Sequence, residues 1–117
     1  IGERTFVSHS LPERLDWDPF DATVFERTLR PGDLMEEGAA FRIVWGRDFR
    51  QENIDAYLAA VGADILLSGH EPAPCGYQLP NTRQIILDCC HDEARCALVP
   101  TAGPVDQRRL VQGLVKL

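Results

Sequence analysis

The sequence predicts an α/β domain with a mixed sheet, and a partial one. Strand-like runs at Arg4–Ser8, Phe41–Trp45 and Asp64–Ser68 are set apart by helical patterning. A tight series of shorter strand-like runs then follows, at Gly76–Leu79, Arg83–Cys89 and Arg95–Val99. Strands joined first through helices and then through hairpins imply a mixed sheet with helices packed on it. The two or three helices that the pattern allows are too few to cover both faces of such a sheet, so part of the domain is expected to be missing.

Taken in order, Phe6 and Val7 form the inside of the first strand. The stretch Leu11–Phe20, with Pro12, Asp16, Asp18 and Pro19, reads as a loop. Asp21 is placed to cap a short helix through Leu29, ended by Arg30-Pro31-Gly32-Asp33, because proline and glycine together break regular structure. Phe41–Trp45 reads as a second strand. Asp48 followed by Gln51 resembles a capping box. Ile54, Tyr57, Leu58 and Val61 then fall on one helical face, and Gly62 ends the helix as a C′ glycine does. Asp64–Ser68 is apolar enough for a buried strand. Pro80-Asn81 and Asp92-Glu93 are turn residues that make the last three strands an antiparallel meander. In the tail from Val105, the residues Leu110, Val111 and Leu114 suggest a helix, against which Gly113 counts.

The 117 residues suffice for one domain with a core and not for two, so residues 1–117 are read as a single partial domain. A net charge of -6 argues against nucleic acid or an anionic membrane as the main partner. No apolar run approaches the ~20 residues of a membrane helix. The start at Ile1, directly before a strand, leads us to expect a piece of a longer protein. Cys75, Cys89, Cys90 and Cys96 show no Cys-x-x-Cys spacing, and reduced thiols in a cytoplasmic protein are the expectation. A zinc cluster of Cys75, Cys89 or Cys90, His91 and Cys96 is the alternative use of these residues.

The chemistry rests on His9 and His70. Each stands where an apolar run gives way to turn residues, at the C-terminal lip of a strand, where side chains from separate strands converge. Gly69 gives the chain freedom before His70, and Glu71-Pro72 turns it away afterwards, which presents the imidazole to a cleft. Two neutral imidazoles at such lips can share one metal ion. Taken singly, each is no more than a loop histidine.

The run Phe6-Val7-Ser8-His9-Ser10-Leu11-Pro12, then Val44-Trp45-Gly46-Arg47-Asp48, then Asp64-Ile65-Leu66-Leu67-Ser68-Gly69-His70-Glu71-Pro72 and Cys75-Gly76-Tyr77, resembles the second half of the calcineurin-like metallophosphoesterases. Within them it is most similar to the phosphoprotein phosphatase branch and its bacterial relatives. The resemblance implies the C-terminal half of a metallophosphoesterase β-sandwich flanked by helices. It also implies a metal-dependent phosphoester hydrolase of the Ser/Thr protein phosphatase type. His9 and His70 would then be histidine ligands of one ion in a centre of two divalent ions (manganese, iron or zinc) ~3.5–4 Å apart. Arg47, with Arg50 as runner-up, would bind a phosphate oxygen through its guanidinium fork. Without such a ligand, either is a solvated arginine at a helix start. His91 is placed near the cleft mouth as a candidate proton carrier.

Two departures qualify the resemblance. Leu87-Asp88-Cys89-Cys90-His91-Asp92 stands where the eukaryotic branch has a tyrosine-bearing loop, so that substrate contact does not carry over. The Asp-x-His and Asn-His-Glu motifs that complete the family's centre do not occur in the sequence. The chain is therefore expected to be inactive without an N-terminal half of the same domain, its expected partner beside a phosphorylated substrate. A non-catalytic interaction module is the reading from a different class.

Overall fold

The computed structural model describes residues 4–13 and 18–117, so Asp16 of the predicted loop lies outside the described residues. The chain is a mixed α/β domain. Strand β1 (Thr5–Val7) pairs in parallel with β2 (Ile65–Ser68), with Phe6 opposite Leu66 and Val7 opposite Leu67. On its other side β2 pairs in parallel with β4 (Gln84–Leu87), which pairs antiparallel with β3 (Tyr77–Gln78). The order in this sheet is β1-β2-β4-β3. All four residues of β2 are buried, as expected of a parallel strand covered on both faces.

Alternation along the strands sorts their side chains onto two faces. Phe6 and Leu66 point to one face and pack with Leu11, Ile54, Tyr57 and Leu58, so that helix α2 (Gln51–Val61) covers it. Ile65, Leu67 and Ile85 point to the other. They pack with Val105 and Leu110, the latter on helix α3 (Gln107–Gln112), and with Ala97 of β5 (Arg95–Ala97). Both faces thus carry packed layers, which corrects the expectation that so few helices leave one face bare. The reason lies in the tail. After α3 the chain forms β6 (Leu114–Lys116), which pairs antiparallel with β5 in a separate two-stranded sheet. The predicted meander therefore stops at β4. β5 joins the tail strand instead, and the strand at 114–116 was not anticipated.

Helix α1 (Ala39–Trp45) replaces the strand predicted at Phe41–Trp45. A short apolar run does not by itself distinguish strand from helix. Here Ala39 and Ala40 favour helix, Phe41 and Trp45 stack one turn apart with ring centres at 6.2 Å, and Arg42 turns inward. The Arg42 guanidinium donates to the Glu13 carbonyl from both Nε (2.9 Å) and Nη2 (2.6 Å) and lies 5.9 Å from the centre of the Phe20 ring. It thereby ties α1 to the chain on either side of residues 14–17.

Two further local expectations change. The helix expected from Asp21 to Leu29 is a single 3-10 turn, Ala22–Phe25, with Asp21 accepting from Thr23 N. Its exit is held by Arg27, which donates to both Asp33 oxygens and to Asp21 and keeps the Asp33 carboxyl well below the usual range. The N-cap of α2 is Arg50 rather than Asp48, whose carboxylate instead accepts from Arg50 N at 3.3 Å. Gly62 does end α2, in the left-handed region at φ 67°, which suits glycine.

Leu110 is the fully buried residue through which α3 holds the second face. Leu110→Ala is expected to lower unfolding stability by about 2–5 kcal/mol in urea titration. A change below about 1 kcal/mol would mean that α3 is not part of the core.

Candidate metal centre

Parallel pairing sends the C-terminal ends of β1 and β2 the same way. Ser8 N donates to Leu67 O at 3.1 Å, and Gly69 N donates to His9 O at 3.2 Å, so the ladder extends past both strands to their lips. The next side chains outward are His9 and His70. Their ring centres lie 4.4 Å apart with 40° between the planes, and both residues are exposed. His70 reaches this position in the left-handed region, at φ 65°. That conformation costs a non-glycine residue about 1–3 kcal/mol, and Arg4 and Glu37 adopt it too.

Arg47 is held against the same lips. Its Nη1 donates to Gly46 O at 2.7 Å and to Ser10 Oγ at 3.2 Å, and its Nε pairs with the Glu71 carboxylate. Ser10 Oγ also lies 3.5 Å from His9 Nδ1 and shares its proton between the carbonyls of Ile43 and Val44. These are among the last carbonyls of α1, which have no partner within the helix. The guanidinium thus lies at the negative end of α1, bonded to Ser10, which also lies beside the His9 ring, and paired with Glu71, the residue after His70. Gly46 lets the Leu11–Glu13 segment pass against the end of α1, because a Cβ there would clash with Leu11 O and Glu13 N.

No family model, curated protein or solved structure matches this chain.

The remaining candidates lie apart from this arrangement or are engaged elsewhere. Arg50 sits at the start of α2, paired with Asp48 at 2.7 Å and lying 3.6 Å from Glu52, both on its own segment. His91 shares a groove with His70, yet its Nε2 meets Ala73 O at 2.9 Å and its Nδ1 accepts from Glu93 N at 3.1 Å. These partners assign the proton to Nε2 and leave neither nitrogen open. Cys75, Cys89, Cys90 and Cys96 are free thiols. Among the described residues no three His, Cys, Asp or Glu side chains gather where an ion would sit, around the thiols or around the histidine pair. No helix of the described residues is long and apolar enough to cross a membrane.

Sequence reasoning did not single out Ser10 and Glu71. Each directly follows one of the paired histidines, and that adjacency was the available signal. It also passed over Asp88, which is buried and accepts from Ala73 N at 2.8 Å and from Cys90 N at 2.9 Å. These bonds join the segment after His70 to the segment after β4, and they lower the Asp88 pKa from its usual value. A carboxylate with a depressed folded-state pKa adds stability above its unfolded pKa and loses it as the pH falls through the folded value. The melting temperature of Asp88→Asn should therefore lie below wild type at neutral pH, with the gap closing as the pH drops below ~4. A gap that is constant with pH would remove Asp88 from this role.

Proposed function

We propose that this chain is the C-terminal half of a calcineurin-like metallophosphoesterase domain and contributes to a dinuclear phosphoester hydrolase centre. In this reading His9 and His70 hold one divalent ion and Arg47 binds a phosphate oxygen. The observation that carries it is the paired imidazoles at the ends of adjacent parallel strands, with Arg47 linked to both lips. Crevices at the carboxyl ends of parallel strands are where open α/β sheets bind ligands.

The residues present fit such an ion in part. Their donor chemistry suits zinc, manganese or iron, and the two ring centres lie 4.4 Å apart. Catalytic sites of this kind ordinarily use three or more protein ligands. The other ligands, and the second ion, belong in this reading to an N-terminal half that packs against these lips. When bound, a divalent ion withdraws charge from a phosphoryl oxygen and makes water a usable nucleophile near neutral pH.

The chain's own residues account for binding and orientation. A phosphate at the lips competes with Glu71 for the Arg47 guanidinium, whose planar fork matches two phosphate oxygens. Tethering by Ser10 and by the carbonyls of α1 presets its direction. The reaction is hydrolysis of a phosphomonoester: a water oxygen bonds to phosphorus and gives up a proton, the ester P–O bond breaks, and the departing alcohol oxygen takes up a proton. Both His91 nitrogens are engaged, so in this reading that proton comes from the attacking water or from a group outside this chain.

Calorimetric titration with zinc, the tightest-binding of the three metals at a nitrogen site, tests the pair. One ion per chain is expected, with His9→Ala and His70→Ala each weakening binding by at least about tenfold and His91→Ala leaving it unchanged. Equal effects of all three variants, or no binding by wild type, would contradict the proposal.

Glu71 supplies a second test. In the zinc-loaded chain, Glu71→Gln removes the competing carboxylate and should tighten inorganic phosphate binding several-fold. Arg47→Ala should weaken it by more than that. Weaker binding by Glu71→Gln would mean that the carboxylate positions Arg47 rather than competing for it.

A further inference from the structure

The geometry points to a subsite beside the histidine pair that receives the organic part of the phosphoester and selects an aryl or alkyl group over a sugar or other polyol. This inference rests on the phosphoesterase reading of His9 and His70. A groove of about 520 Å³ begins at His70 and runs between residues 69–72 and 87–91, across the ends of β2 and β4. That volume falls within the ~300–1,000 Å³ of small-molecule sites. A phosphate held at the histidines and Arg47 has this groove directly beside it, so an ester substituent can extend into it.

Its selectivity follows from how the lining is already committed. Glu71 is paired with Arg47. Asp88 accepts from two backbone amides, those of Ala73 and Cys90. His91 is engaged at both ring nitrogens. Apart from Glu71, which a bound phosphate would displace from Arg47, the Asp88 carboxylate and the His91 ring are therefore spent on the protein, whereas Pro72, Leu87 and Cys89 offer apolar contact. A sugar would give up more hydrogen bonds to water than the one freed carboxylate replaces, a loss that a ring or alkyl chain does not incur. Gly69, Leu87 and Cys89 also border a second cavity of about 380 Å³, walled by Val7, Leu67 and Leu117. The apolar path thus continues beyond the first groove.

Cys89 is exposed and lines both cavities, which makes its thiol a reporter. Cys75 is also exposed but lines neither cavity, and it serves as the internal reference. The zinc-loaded chain is treated with iodoacetamide, and alkylation at each cysteine is followed by peptide mass spectrometry. Phenyl phosphate should slow Cys89 alkylation several-fold and leave Cys75 unchanged, while glycerol phosphate and inorganic phosphate should protect neither. In Cys89→Trp, which fills the groove, phenyl phosphate should bind several-fold more weakly and inorganic phosphate as before. Zinc binding with no protection of Cys89, or with equal protection by inorganic phosphate, overturns the subsite alone. Absence of zinc binding overturns the underlying reading and the subsite with it.

Discussion

The parallel register of β1 on β2 is the constraint from which the candidate centre follows. With Val7 opposite Leu67, the residues that leave the two strands emerge side by side. A slip of β1 by one residue would turn Phe6 away from α2 and, by the same rotation, point His9 elsewhere. The register is enforced from both faces. Phe6 and Leu66 are claimed by the layer of Tyr57 and Leu58, and Ile65 and Leu67 by the layer of Leu110 and Val105. The energy that fixes the histidines is thus mostly apolar burial some distance from them.

Polar contacts then refine what the register sets up. Ser10 is fully buried and fastens the lip of β1 to the end of α1. Asn53 of α2 donates to Pro12 O at 2.9 Å and to Asp48 O at 2.7 Å, holding the chain that leaves the first histidine and the chain that follows Arg47. Asp88 does the same for the segment beyond the second. Each contact uses a backbone group that a loop would otherwise expose or leave unpaired, so the loops at this end of the sheet are held in place. His70 in its left-handed conformation is held within that frame.

What the sequence made legible follows from how local each signal is. The helix through Ile54, Tyr57 and Leu58 and its end at Gly62 were readable because periodicity and a left-handed cap are local properties. So was the buried strand before Gly69. At Phe41–Trp45 the reading failed, since four apolar residues in a run of five carry no period and the decision lay with the preceding alanines and the inward-turning Arg42. The pairing of β5 with a strand at Leu114–Lys116 was hidden for a different reason. It joins segments far apart in sequence, and Gly113 masked the start of the strand. The positions of His9 and His70 at strand ends were legible, but their approach to 4.4 Å depends on which strands are neighbours. Arg47 and its partners illustrate the same limit. Ser10 and Glu71 are unremarkable in sequence, and only the fold sets them on either side of one guanidinium.

The most direct test of the account is to follow the three histidine rings by nitrogen-detected NMR while zinc is added to the chain. The account predicts that ring-nitrogen signals of His9 and His70 move together and saturate at one equivalent, while those of His91 stay in place. Separate titration of His9 and His70, or a response confined to His91, would contradict a shared ion at the ends of β1 and β2.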